Sequence, residues 1–476
     1  MTGSSPVLTF AGGAGTVTGS KTILDTARGR ILVDCGLFQG RKKLRLQNWT
    51  PFPVPPESID AVVLTHAHLD HCGYLPRLTR LGFTGPVYCT PGTHRLAEIV
   101  LPDSGHLQEE EARFANRKGY SKHDPAQPLY TRTDALASLD HFETVPFDRS
   151  REVIGGVEVT WHRAGHILGA ATVALHLVDD DIVTRFSGDL GTSRHPLLLP
   201  PAPIGRADVV VTESTYGDEE HSHADPEEAI AEAVAHVVDR EGVLIIPAFA
   251  VDRTEVVLWH LDRLISDGRI PDIPVFVDSP MACRSLDVYQ SEAHGGSPEF
   301  RPELHGADLF PSVRLTQVTS VDDSKSLNSL RGPAVIVSAS GMATGGRVIH
   351  HLAQRIGNRD NAVMLVGFQA PGTRGDSLRS GAQQLKMFGQ YYPVEAKVFS
   401  VDLSAHADRT DLINWLGTAA PAPRMIYVNH GEPPASDALV EAIHSRLGVN
   451  AVVPRPGERI RLDPIPTSPA GRQARS

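Results

Sequence analysis

Cysteine is scarce in this chain: four in 476 residues, at Cys35, Cys72, Cys89 and Cys283, with no CxxC pair. That excludes a zinc ribbon and a disulfide scaffold, and makes a reduced, cytoplasmic compartment the expectation. Long apolar runs are also lacking. No stretch reaches the roughly 18 apolar residues of a membrane-spanning helix. The opening "MTGSSPVLTF" has no basic segment ahead of an apolar run, so no secretory leader is expected. Cationic excess is missing too: Lys and Arg number 45 against 56 Asp and Glu, a net charge of −11. That argues against a general nucleic-acid coat. It does not exclude a nuclease, because only a groove must be positive and metal ions can supply local charge. No internal repeat is visible. The apolar content of 41% suffices for a substantial core, and the length suggests two or three domains or one domain with a large insertion.

The first 90 residues alternate short apolar runs with turns; "VLTFAGG", "KTILDT", "RILVDCG" and "AVVLTH" read as strands. A helix is expected over 93–117, then the polar connector "GYSKHDPAQPLYTR", then strands in "VEVTWHRAGH", "ATVALHLV", "IVTRFSGD" and "ADVVVTEST". Near Tyr216 the pattern changes. "DPEEAIAEAVAHVVDR" reads as a helix capped by Asp225 with Pro226 at its first position. The strands "GVLIIPAF", "IPVFVDSP", "PAVIVSAS" and "NAVMLVGF" then alternate with helices, which is the signature of a parallel α/β layer. The tail 464–476 is expected to be disordered.

Histidine is what the chain concentrates. "LTHAHLDHCG" places His66, His68, Asp70 and His71 in H-x-H-x-D-H, directly after the apolar run 61–64. In extended chain His66 and His68 point the same way, and a helix starting near Leu69 throws Asp70 and His71 toward a neighbouring point. Imidazole nitrogens with carboxylate oxygens suit Zn²⁺, with Mn²⁺ or Fe as competitors. A lone HxH is more often a surface loop, but this density behind a buried strand reads as a metal site. Four ligands cannot fill two ions. His166 in "RAGHILGA", Asp189 in "FSGDLG" and His430 in "YVNHGE" are strand-end candidates for the remainder. "HSHADP" at 221–226 imitates the motif but follows no buried strand, so exposed loop histidines are expected there. Cys72 is expected to be a small packed residue.

"HAHLDHCG", "AGHILGA", "SGDLG" and "LVDCG" resemble the metallo-β-lactamase fold in its hydrolase form. "TESTYGD", "SAHAD" and "VNHGE" further resemble its β-CASP branch, nucleic-acid-processing enzymes that include the endonuclease subunit of the cleavage and polyadenylation machinery. The likeness runs from about residue 8 to about 462. It implies an α/β fold: a four-layered αββα metallo-β-lactamase domain over 1–216 and 395–463, interrupted by a parallel-sheet β-CASP domain over 217–394. It implies two zinc ions, one held by His66, His68 and His166 and one by Asp70, His71 and His430, with Asp189 bridging. Asp34 would orient the ligand cluster, Glu213 would be the acidic motif-A residue and His406 the motif-B histidine. An unligated His406, hydrogen-bonded by Glu213, would be suited to carry a proton; "SAHADRT" also reads as a capped helix start with Ser404 or His406 as the cap, and the two readings are compatible.

Two glycine-rich stretches are candidate phosphate cradles. In "SASGMATGGRVIHHL" these are Ser340, Gly341, Gly345, Gly346 and Arg347; in "GFQAPGTRGDSL" they are Gln369, Thr373 and Arg374. In "IPAFAVDRTEVVL" the family often carries Gly and Gln where this chain has Asp252 and Glu255, which is expected to make that stretch more acidic. The expected activity is metal-dependent endonucleolytic hydrolysis of single-stranded RNA. In the family this chain resembles, the RNA-acting branch carries histidine at the position of His430 where the DNA-acting branch tends to have valine, and 5′-exonucleases usually carry an added C-terminal domain; the resemblance therefore implies RNA over DNA and an endonuclease over a 5′-exonuclease. A small-molecule lactamase or thioesterase and an inactive RNA-binding scaffold are the alternatives. A homodimer is left open, and no membrane partner is expected.

Overall fold

The computed structural model describes residues 5–119, 124–222, 224–370 and 372–463. The expected disorder of 464–476 lies outside the described residues. The chain forms two compact units. The first comprises residues 1–193, 200–220 and 406–476; the second comprises 194–199 and 221–405.

The first unit is built on two seven-stranded sheets. One contains the strands Val7–Gly12, Lys21–Thr26, Gly29–Val33 and Ala61–Val63; the other contains Val157–Arg163, Ala171–Leu177, Ile182–Phe186, Val209–Thr212 and Met425–Val428. Alternate residues of both sheets meet in one core, where Phe10, Ile31 and Val63 join Trp161, Val173, Val211 and Tyr427. The intervening residues Leu32, Val62, Val210 and Ile426 are buried on the opposite faces. Covering both outer faces gives the four-layered arrangement; the helix Pro433–Leu447, for example, packs on the strand Met425–Val428. The Trp161 indole ties the layers together by donating to the Leu64 carbonyl at 2.9 Å.

The second unit carries a six-stranded sheet in which every pairing is parallel. Its central strands Val243–Pro247, Ala334–Ser338 and Ala362–Val366 are buried at every residue, as expected where helices cover both faces. Leu244 and Ile246 face the helices Pro226–Asp239 and Arg253–Ser266, while Ile245 faces Val348 and Leu352 of the helix Arg347–Arg355. The Asp225 carboxylate accepts from Glu227 N at 2.9 Å, capping the first of these helices. The sixth strand, Lys397–Val401, follows residue 394 and pairs with Ala362–Val366.

Candidate metal centre

Six functional candidates of the first unit sit just past the carboxyl end of a strand. Asp34 follows Gly29–Val33, His66 follows Ala61–Val63, His166 follows Val157–Arg163, Asp189 follows Ile182–Phe186, Glu213 follows Val209–Thr212, and His430 follows Met425–Val428. Within each sheet these strands run the same way: Gly29–Val33 with Ala61–Val63, and Ile182–Phe186 with Val209–Thr212 and Met425–Val428. Val157–Arg163 joins that direction through two antiparallel pairings. Parallel strands therefore deliver distant residues to one edge. His68 stands immediately before the short helix Leu69–Cys72, which turns Asp70 and His71 inward. Close approach needs glycine at two points. A Cβ on Gly36 would lie 1.6 Å from the Asp70 carbonyl oxygen, and one on Gly188, at φ +56°, would lie 2.7 Å from Thr65 Cβ.

His68 Nδ1 lies 3.2 Å from both His66 Nε2 and His166 Nε2. Asp189 Oδ2 lies 3.5 Å from His66 Nε2 and 3.7 Å from His166 Nε2. Tetrahedral zinc with bonds of about 2.0–2.1 Å spaces its ligand atoms about 3.3 Å apart, so this quartet fits one ion. Asp70, His71 and His430 form the neighbouring group. Asp189 Oδ1 reaches it, lying 3.2 Å from His71 Nε2 and 3.3 Å from His430 Nδ1. The orphaned atoms agree: His71 Nε2, Asp189 Oδ1 and both His430 ring nitrogens are buried without a hydrogen-bond partner among the described residues. The contacts to Asp189 Oδ1 are close but lack hydrogen-bonding geometry. Buried polar atoms are normally satisfied, so these residues fit a pair of cations.

Asp34 holds the cage from behind. Its carboxylate accepts from His71 Nδ1 at 2.7 Å, from Thr65 N at 2.9 Å and from the Thr65 hydroxyl at 3.0 Å. With Nδ1 donating, His71 presents Nε2 as the lone-pair atom. Burial alone would raise the Asp189 carboxyl, but His71, His430 and His66 outweigh it and hold it well below the usual range. Burial pushes His66 well below its ordinary value, keeping its imidazole neutral as a ligand must be. Asp34 and His430 both adopt positive φ, at 58° and 47°, an unusual conformation for residues with a Cβ.

His406 arrives on a separate segment, with Ala407 N donating to the Leu190 carbonyl at 2.7 Å. Its Nδ1 lies 3.4 Å from Glu213 Oε2 and 4.0 Å from Asp189 Oδ2. Glu213 also accepts from the backbone amides of Leu190 and Thr215, which fixes its orientation. Burial opposes charge on His406, but Glu213 and then Asp189 prevail and raise its pKa. The helix Arg409–Leu416 is capped by Asp408, whose side chain accepts from Asp411 N; neither Ser404 nor His406 is its cap. Sequence reasoning gave no role to Thr65 or to Ser187, whose hydroxyl accepts from Glu213 N at 2.8 Å. Short hydroxyls at strand ends are too common to stand out.

The second unit corrects several expectations. Arg347 donates to Asp278 Oδ1 at 2.7 Å and to the Val318 and Thr319 carbonyls, so its guanidinium is occupied within the protein. Arg374 donates to the carbonyls of Lys386, Ala343 and Thr344 and braces the glycine loop from behind. Gln369 is buried and donates to the Gly341 and Gly367 carbonyls, while Thr373 caps the helix Arg374–Arg379. Ser340 remains at the loop with its hydroxyl 3.0 Å from that of Thr344, and Gly345 borders open space. Asp252 and Glu255 are buried and add no acidity to the surface. Asp252 pairs with His195 at 3.0 Å and accepts from the Tyr289 hydroxyl at 3.0 Å. His221 is buried against Asp402 at 2.9 Å rather than exposed; His223 lies outside the described residues. Cys72 is buried, as expected, with its thiol donating to the Ala67 carbonyl.

The chain matches three domain families: the Beta-lactamase superfamily domain over 29–245, the Beta-Casp domain over 254–378, and the Zn-dependent metallo-hydrolase RNA specificity domain over 391–454. It is 34% identical to Ribonuclease TTHA0252 of Thermus thermophilus, covering 88% of this chain and 92% of that one. It is 30% identical to Transcription termination factor FttA of Methanosarcina mazei, covering 96% of this chain and 71% of that protein. It is 28% identical to an RNase J-like protein of Methanocaldococcus jannaschii, covering 94% and 98%. A crystal structure of an Enterococcus faecalis protein of unknown function shares the fold, with a TM-score of 0.55 at 15% identity, over 96% of this chain and 100% of that one. With its metallo-β-lactamase core, its inserted parallel sheet and these relatives, the chain belongs to the β-CASP ribonuclease family of the metallo-β-lactamase fold and is a metal-dependent hydrolase.

Proposed function

We propose that this protein is a dinuclear zinc endonuclease that hydrolyses phosphodiester bonds of single-stranded RNA. The observation that carries the reading is the cage of His66, His68, Asp70, His71, His166, Asp189 and His430, in which His71 Nε2, Asp189 Oδ1 and both His430 ring nitrogens are buried without a hydrogen-bond partner among the described residues. RNA as the polymer is supported by the stretch 391–454, which matches an RNA specificity domain and contributes both His406 and His430. Endonucleolytic cutting rests on the resemblance to the cleavage and polyadenylation endonuclease.

Bound zinc supplies positive charge against phosphate oxygens and a water acidic enough to ionise near neutral pH. The protein's own part is orientation and proton transfer. Asp34 fixes the ring of His71, and Glu213 fixes that of His406. With Nδ1 turned to Glu213, His406 can give the proton on Nε2 to the departing 3′ oxygen, leaving a 5′-phosphate on the other product. Its raised pKa suits a group that must hold that proton at neutral pH.

The test is incubation of the purified protein with labelled linear RNA, circular RNA, single-stranded DNA, a lactam and a thioester, with and without chelator. Chelator-sensitive cutting of both RNAs, circular included, is the expected result. Cutting of linear RNA alone would make the enzyme an exonuclease. Turnover of the lactam or thioester with RNA untouched would move it to the small-molecule hydrolases.

A further inference from the structure

The chain carries a basic loop anchored to the ligand turn. Cys35 N donates to the His71 carbonyl at 2.7 Å and Leu37 N to that of Leu69 at 2.8 Å. Asn48 then closes a loop on Phe38: Asn48 Oδ1 accepts from Phe38 N at 2.9 Å, and its amide donates back to the Phe38 carbonyl at 2.7 Å. Between them runs "QGRKKLRLQ", where Lys42–Arg45 form one helical turn and Leu46–Trp49 a tighter one, with Arg41, Lys42, Lys43 and Arg45 all exposed. No carboxylate occurs from residue 35 to residue 56. None of the four cations has an acidic partner among the described residues, whereas Arg28, Arg30, Arg151, Arg206 and Arg409 of the same unit are each paired with a carboxylate. Past the loop stands Trp49, half exposed at 51%, with the Arg77 guanidinium 5.9 Å from its ring centroid.

These features call for a ligand. Four like charges on one short segment repel one another, and a single helical turn is too short for its dipole to offset that repulsion. In a chain of net charge −11 they make a local positive region that would concentrate a polyanion. An indole left half in water beside cations is the composition that grips single strands: charge follows the backbone while the ring stacks a base. Position selects the polymer. Lys42 is five residues from Leu37, so it lies within about 18 Å of the segment bonded to the ligand turn. We infer that the loop 39–47 together with Trp49 is a binding site for the single-stranded RNA that flanks the bond being cut, its cations holding phosphates and Trp49 stacking a base. This rests on the ribonuclease reading above.

The test compares Lys42→Glu/Lys43→Glu and Trp49→Ala with a control of equal charge change, Arg149→Glu/Arg455→Glu, on two exposed arginines elsewhere in the unit. Three quantities are read: RNA affinity against salt, kcat/KM on RNA, and turnover of a nitrophenyl phosphodiester. The lysine reversal should weaken RNA binding at least tenfold at low salt. It should also flatten the slope of log affinity against log salt by about 1.4, since each single-strand phosphate contact contributes about 0.7. Trp49→Ala should weaken binding roughly 5- to 100-fold with the salt slope unchanged. Small-diester turnover should stay at the level of the unaltered protein in all three variants, and the control should leave RNA affinity nearly unchanged. Unaltered affinity and slope in the lysine variant would overturn the inference. So would an equal loss in the control, or a dimer that the reversal splits while RNA binding per chain persists, which would make a second copy the occupant. If the unaltered protein turns over the small diester but neither binds nor cuts RNA, the ribonuclease reading falls and takes this site with it.

Discussion

Glu255 offers a quantitative test of the second unit. It lies in the first turn of the helix Arg253–Ser266, is fully buried, and neither carboxyl oxygen has a hydrogen bond of good geometry among the described residues. Burial, reinforced by the neighbouring Asp252 carboxylate, pushes its pKa up to about 8, with Ser285 and nearby amides offsetting only part. In the unfolded chain a glutamate titrates near 4.3. Between these values the folded state holds a proton that the unfolded state has lost, so stability falls as pH rises. The contribution is whole below about pH 4.3, declines through the neutral range, and is lost once pH passes about 8. At pH 7 the cost is on the order of 3–4 kcal/mol, from about 2.7 units at 1.36 kcal/mol each. Glu255→Gln keeps the shape, removes the ionisation and installs the residue the family often carries. The variant should therefore be more stable than the parent at pH 7–8 by a few kcal/mol and nearly equal to it at pH 4.5. The assay is chemical denaturation of the metal-loaded full-length protein at several pH values, with amide exchange in the 253–266 helix as the local readout. Equal stabilities across pH 5–8.5 would refute the reasoning and mean that Glu255 finds a partner that keeps it ionised.

The metal centre gives further tests. His68→Ala or Asp70→Ala should remove bound metal and activity together; full occupancy of both positions in either variant, by elemental analysis, contradicts their assignment. Asp34→Ala should leave the fold in place but weaken metal binding about 10- to 100-fold, because His71 Nδ1 then loses its 2.7 Å carboxylate acceptor and keeps only the long contact to the Thr65 hydroxyl at 3.5 Å; competition with a graded chelator measures it. His406→Ala should keep metal and RNA binding while turnover falls on the order of 10²–10⁴-fold. That loss should shrink on a nitrophenyl diester, whose leaving group needs no proton, and equal losses on both substrates exclude the proton-donor role.

The sequence by itself determined the local features of this protein. H-x-H-x-D-H after an apolar run marked one half of the candidate cage, because those four side chains lie within six positions and need only one strand-to-helix turn to converge. The βα alternation after Tyr216 gave a parallel sheet, because strands buried on both faces are apolar at every position. Asp225 could be read as a cap because capping is decided within one turn. What side chains do across long sequence separations was decided only by the tertiary structure. Arg347 and Arg374 beside glycine-rich loops looked like phosphate ligands, yet Asp278, 69 positions away, and carbonyls of three separate segments occupy them. Asp252, Glu255 and His221 read as polar surface, yet the fold buries all three and gives Asp252 and His221 partners no local pattern points to. The closing of the site is of the same kind. His430 reaches Asp189 across more than two hundred residues of chain because parallel strands place their carboxyl ends along one edge, and side-chain periodicity says which face a residue takes but not which strand lies next to it.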